Sequence, residues 1–143
     1  MAEQPLSDTC IFCRIVKGEI PGMRVYEDDD VVAFLDINPI SRGHTLLIPK
    51  GHYETLVDIP DEVSPAVIRA LARVGKAIMA AMGADGFNCL QNNFPASGQV
   101  VFHSHWHIIP RYEGDGLVHW RHDTNADREA MLHTAEAIRR ELD

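Results

Sequence analysis

Apolar residues recur along this chain at two periods, and each change of period marks an element. Ile11, Phe12, Ile15 and Val16 recur at helical spacing and predict a short helix over 10–19, stopped by Gly18 and Pro21. Residues 24–27 and 31–37 read as strands joined by the turn Asp28-Asp29-Asp30, and residues 44–48 as a third strand ending at Pro49. Val67, Ile68, Leu71, Val74, Ile78 and Met82 then mark one face of a long helix. Ser64 serves as its cap, Pro65 takes the first helical position and Gly83 ends it. A fourth strand over 87–91, a polar loop over 92–98 and a fifth strand over about 100–109 follow. Met131, Ala135, Ile138 and Leu142 share a face of a last helix over 127–142. Short connections among the first three strands imply antiparallel pairing. The prediction is an α+β domain: a sheet of about five antiparallel strands, a long central helix, and short N-terminal and C-terminal helices.

Composition narrows the function classes. The chain has 143 residues, 45% hydrophobic and 24% charged, ordinary values for one globular domain. Thirteen basic against 21 acidic residues leave a formal charge of −8, which disfavours binding to nucleic acid backbones. A phosphate ligand therefore needs local donors. No apolar run is long enough to span a membrane. The start Met1-Ala2-Glu3-Gln4-Pro5 lacks the basic and apolar segments of a signal peptide, so a frayed terminus on a cytoplasmic protein is expected. Three cysteines do not suit a secreted disulfide framework.

Chemistry concentrates at His103-Ser104-His105-Trp106-His107, where three of the eight histidines lie two residues apart. On a strand, all three rings point one way, about 7 Å apart, while Trp106 and Ile108 enter the core. Such a row suits three uses. Imidazoles can share a metal ion. A neutral imidazole can attack phosphorus while a hydrogen bond holds its other nitrogen. Or the rings are simply exposed, with no role. The preceding loop carries Asn92, Ser97, Gly98 and Gln99, donors that make either a phosphate cradle or an ordinary hairpin loop. Cys10-x-x-Cys13 places two thiols within reach of one metal, of each other, or of the core.

The pattern His-x-His-x-His-Ile-Ile-Pro, preceded by Gly98-Gln99-Val100-Val101, resembles the histidine-triad (HIT) superfamily of nucleotide hydrolases and transferases. So do Cys10-Ile11-Phe12-Cys13 with Gly18-Glu19-Ile20-Pro21, Ala33-Phe34-Leu35-Asp36-Ile37, and the block from Gly43-His44 to Gly51-His52. The resemblance covers about residues 9–112, and implies a single HIT domain: 1–8 flexible, 9–112 the core, 113–143 a C-terminal loop and helix. It implies that His105 attacks the α-phosphorus of a nucleoside phosphoramidate or dinucleoside polyphosphate, forming a nucleotidyl-histidine that water hydrolyses. His103 would set the tautomer of His105 through its carbonyl, and His107 would contact phosphoryl oxygens. Asn92, Gly98 and Gln99 would surround the phosphates, Asp36 would accept the ribose hydroxyls, and Ile11, Phe12, Phe34 and Ile37 would wall the base of an AMP or GMP moiety.

The resemblance also implies a structural zinc on Cys10, Cys13, His52 and His103, and a homodimer. Two departures stand out. Val100 occupies a place where Ser or Thr is frequent, and Ser104 one where an apolar residue is usual; the latter is expected to bring only a small packing change. The branches that resemble nucleotidyltransferases lack the third histidine, so its presence favours hydrolysis. His44, His122 and His133 are expected to be surface or structural, and Cys89 a core residue. His119-Trp120 weakly resembles a pair that reaches toward a partner's site. Two other classes stay open: a non-catalytic nucleotide-binding adaptor, and a metal-dependent hydrolase that uses the histidine row as ligands.

Overall fold

A computed structural model describes residues 6–117 and 121–142. The elements run α1 (Ile11–Val16), β1 (Arg24–Glu27), β2 (Val31–Leu35), β3 (Thr45–Pro49), α2 (Ser64–Met82), β4 (Gly86–Leu90), β5 (Trp106–Arg111) and α3 (Arg128–Leu142). The five strands form one sheet in the order β1-β2-β3-β5-β4, every neighbour antiparallel. The α+β expectation holds. Positions 1–5 and the His119-Trp120 pair lie outside the described residues.

Strand alternation sorts the core into two layers. Val31, Ala33, Leu47, Trp106 and Ile108 face α2 and pack on Val67, Ala70, Leu71, Val74 and Ile78. Val32, Phe34, Leu46 and Ile48 face the other way, onto Phe12 and Ile15 of α1. Both faces of β2 and β3 are covered, which is why these strands read as unbroken apolar runs. As expected, Trp106 and Ile108 enter the α2 layer, which turns His107 toward α1.

Three expectations need correction. The α2 cap is Val63; Ser64 already lies in the helix, and its hydroxyl donates to the Pro60 carbonyl at 3.2 Å. Gly83 does end α2, at φ +58° in the left-handed region that glycine tolerates. Second, Cys89 is exposed on the edge strand β4. The third bears on function: β5 begins only at Trp106. Extending the β3–β5 register (Leu46 opposite His107, Leu47 opposite Trp106) would set Ser104 against Pro49, which has no N–H to give. Residues 101–105 bend away instead, and the Ser104 N–H donates to the Tyr53 carbonyl at 2.6 Å. Among the described residues, no helix is long and apolar enough to cross a membrane.

Candidate active site and metal centre

The bend at 101–105 sends the triad in two directions. His105 and His107 line a cavity of about 770 Å³ on the α1 side of the sheet, their ring centroids 5.2 Å apart rather than about 7 Å. His103 turns away and is fully buried. Its Nε2–H donates to the Pro49 carbonyl at 2.8 Å, which leaves the Nδ1 lone pair facing Cys10 Sγ and Cys13 Sγ, each at 3.5 Å. Its ring is thus committed to the cysteines, and it meets His105 through its backbone. His105 Nδ1–H donates to the His103 carbonyl at 2.7 Å, so Nε2 carries the free lone pair. Burial lowers the pKa of His105 and keeps that ring neutral. Phe12 stands edge-on to both His103 and His105, at 5.9 and 5.2 Å.

His44, expected to be structural or on the surface, is buried beside this pair, with 2% of its surface exposed. The Ile40 N–H donates to His44 Nδ1 at 3.0 Å. A neutral imidazole has one proton, so it sits on Nε2 and is donated to His107 Nδ1, 2.9 Å away. His107 must then carry its own proton on Nε2. One backbone amide thereby sets two tautomers in series, and His107 presents an N–H, not a lone pair. Burial, and then the neighbouring His105 and His44, push His107 down to about 4. Asp36 Oδ2 lies 3.6 Å from His44 Nε2, and its Oδ1 accepts the Asn38 N–H at 2.8 Å. Asp36, His44 and His107 cluster closely enough to share a metal ion. Yet the Ile40 amide keeps a proton on the His44 nitrogen that would have to ligate, so this trio suits hydrogen bonding.

The cavity brings together most of the expected nucleotide contacts. Ile11, Phe12, Phe34, Asp36, Ile37, Asn92 and Gly98 line it, and so does Val100. Ile11 and Ile37 are 49% and 82% exposed. Gly98 sits at φ +101°, where a side chain would be strained, and its missing Cβ leaves room beside Asn92. Gln99 does not line the cavity. Its amide is buried, accepting the Phe94 N–H at 2.7 Å and donating to the Glu54 carbonyl at 2.6 Å and the Val101 carbonyl at 3.1 Å. It shapes the loop from behind. Sequence reasoning missed His44; a histidine heading the apolar run 45–49 was the available signal.

Cys10, Cys13, His52 and His103 place four ligand atoms within 4.8 Å of one another. His52 Nδ1 lies 3.3 Å from Cys13 Sγ. Two thiols and two imidazoles, one with its lone pair already aimed inward, fit a tetrahedral zinc ion.

A model of the HIT domain matches residues 17–114. This chain belongs to the HIT family. It is 45% identical over 143 residues to the adenylylsulfatase HINT3 of Arabidopsis thaliana, covering 96% of this chain and 71% of the relative. It is 43% identical to the adenosine 5′-monophosphoramidase HNT1 of Saccharomyces cerevisiae, covering 92% and 83%. The crystal structure of a Streptococcus mutans UA159 protein superposes with a TM-score of 0.92 at 35% identity, over 99% of this chain and 92% of that one. A zinc-bound histidine-triad protein of Mycobacterium smegmatis matches at 0.74 and 40% identity, over 94% and 98%.

Proposed function

We propose that this HIT-family nucleotide hydrolase cleaves a nucleoside 5′-phosphoramidate through a nucleotidyl intermediate on His105. The carrying observation is the bond from His105 Nδ1–H to the His103 carbonyl, which leaves a neutral Nε2 lone pair in the cavity. That nitrogen attacks the α-phosphorus; the Nε2–P bond forms and the P–N bond breaks. The leaving amine takes its proton from solvent, since the His44–His107 relay makes His107 a hydrogen-bond donor to a phosphoryl oxygen and gives it no spare proton. Water then attacks the nucleotidyl-histidine, releasing the nucleoside monophosphate and restoring neutral His105. Asp36 accepts ribose hydroxyls, and Ile11, Phe12, Phe34 and Ile37 hold the base.

A phosphoramidate fits better than a dinucleoside polyphosphate. Among the described residues lining the cavity none is Lys or Arg, and Asp36 is the acid. A monoanionic phosphate with an amine leaving group needs less cationic help than a polyphosphate. The named activities of the two relatives support the phosphoramidate and sulfate readings in turn.

Zinc on Cys10, Cys13, His52 and His103 would be structural, since all four protein ligands close its shell and it activates no water. The same closure, with the pinned proton on His44, weighs against the metal-dependent hydrolase. We also infer a homodimer, built on α2 and the exposed edge strand β4, with sedimentation as its check.

His105→Ala should abolish turnover of adenosine 5′-phosphoramidate while AMP binding stays measurable by calorimetry. Unchanged turnover would falsify the mechanism, and AMP binding with no turnover by the wild type would leave the adaptor reading.

A further inference from the structure

We infer that Ser104 and Gln91 are positioning residues for His105, completing a hydrogen-bonded strut that fixes the nucleophile where the sheet does not reach it. The inference rests on His105 as the nucleophile.

The strut answers a mechanical problem. The last rung of the β4–β5 ladder pairs Leu90 with His107, and the last β3–β5 rung pairs Leu47 with Trp106. His105 therefore stands one residue outside the sheet, on a segment without ladder bonds. Ser104 anchors that segment twice. Its N–H donates to the Tyr53 carbonyl at 2.6 Å, and its hydroxyl oxygen accepts the Gln91 Nε2–H. Gln91 is the residue just past β4, so its side chain carries the β4–β5 pairing onward after the backbone pairing has stopped.

The strut has a defined direction. The Leu56 N–H donates to Asn93 Oδ1 at 2.7 Å, Asn93 Nδ2 donates to Gln91 Oε1 at 3.4 Å, and Gln91 Nε2 donates to Ser104. Each amide is oriented by the one before it, from the Leu56 backbone to the hydroxyl beside the nucleophile. Ser104 is 1% exposed and faces away from the cavity, so it touches no substrate. An apolar side chain there would fill the space and leave the Gln91 amide unanchored. The Ser104 substitution is thus more than a packing change: the polar residue and its partner replace missing ladder bonds.

The His105 Nε2 position depends on the 103–105 backbone twice over, through its own Cα and through the carbonyl that holds Nδ1. Loosening the bend moves the attacking atom and weakens the tautomer lock together, whereas the base and ribose contacts lie on α1, on β2 and on the two residues just past β2, and stay put. The expected signature is a fall in kcat with KM spared.

The test is a double-mutant cycle with Ser104→Ala and Gln91→Leu, assayed on adenosine 5′-phosphoramidate. Each single variant should lower kcat about tenfold and leave KM and zinc content within twofold, and the double variant should be no worse than either single. Imidazole ¹⁵N spectra supply a readout independent of turnover: the wild type shows His105 as one Nδ1–H tautomer, and Ser104→Ala shows a tautomer mixture. Unaltered kcat in Ser104→Ala, or losses that multiply in the double variant, overturns the strut. Absence of wild-type turnover instead strikes the hydrolase reading, and an unchanged His105 spectrum in Ser104→Ala then overturns the strut by itself.

Discussion

At the scale of single residues, the site works by assigning protons. His44 does not line the cavity, yet it decides which nitrogen of His107 bears the hydrogen. His44→Ala should free both tautomers of His107 and lower kcat about tenfold, with AMP affinity nearly unchanged; an undiminished kcat in steady-state kinetics counts against the relay. Phe94 shows a different kind of constraint. It sits at φ +69°, ψ +155°, a region almost reserved for glycine, with its N–H held by Gln99. Holding a bulky residue there costs about 1–3 kcal/mol, and a glycine would lose about 0.5–1 kcal/mol in unfolded-chain entropy. Phe94→Gly should therefore stabilise the fold by roughly 1 kcal/mol in urea unfolding; a lower midpoint contradicts that balance. Polar side chains at 44, 91, 99 and 104 would all be unremarkable in a list of residues, because each acts on a partner that only folding supplies.

At the scale of elements, the segment joining β3 to the 3₁₀ turn at 56–58 is the hub. The Pro49 carbonyl holds His103, the Tyr53 carbonyl holds Ser104, the Glu54 carbonyl holds Gln99, and the Leu56 N–H holds Asn93. His52 of the same segment faces Cys13. A metal held by Cys10, Cys13, His52 and His103 would therefore brace the bend at 101–105 and the loop at 92–98 from one place. Cys10→Ser with Cys13→Ser should abolish zinc in elemental analysis and lower the thermal midpoint by about 5 °C or more. Full stability without metal would remove zinc's structural role. The C-terminal element differs in kind. No described residue of α3 is buried, and Met131, Leu132, Ile138 and Leu142 are exposed, although the spacing of these side chains is that of a packed helix face.

For the molecule as a whole, stability follows the burial of neutral histidines. His107 titrates at about 4 in the folded chain against 6.5 when free. Between those values the unfolded chain binds the extra proton, so unfolding becomes easier as pH falls from about 6.5 toward about 4. Below that range both states are protonated and this contribution stops changing. Denaturant midpoints measured across this window should decline steadily, and His107→Gln should flatten the decline; an equal slope in the variant would show that other groups carry it. Two layers of core hold the arrangement, with α2 bearing the structural load on one face and the site opening on the α1 face.

The order of elements, the antiparallel sheet and the closeness of Cys10 to Cys13 were readable from the chain alone, because period, turn chemistry and short spacings are local properties. The split of the triad was not. It arises where a proline at 49, more than fifty positions away, ends a ladder and offers its carbonyl to His103. Nor was the partnership of His44 with His107, the retreat of Gln99 behind its loop, or the reach of Gln91 to Ser104. These are decided by which backbone groups happen to lie opposite once the strands have paired, and a hydrogen bond has no signature in sequence until both of its ends have been brought together.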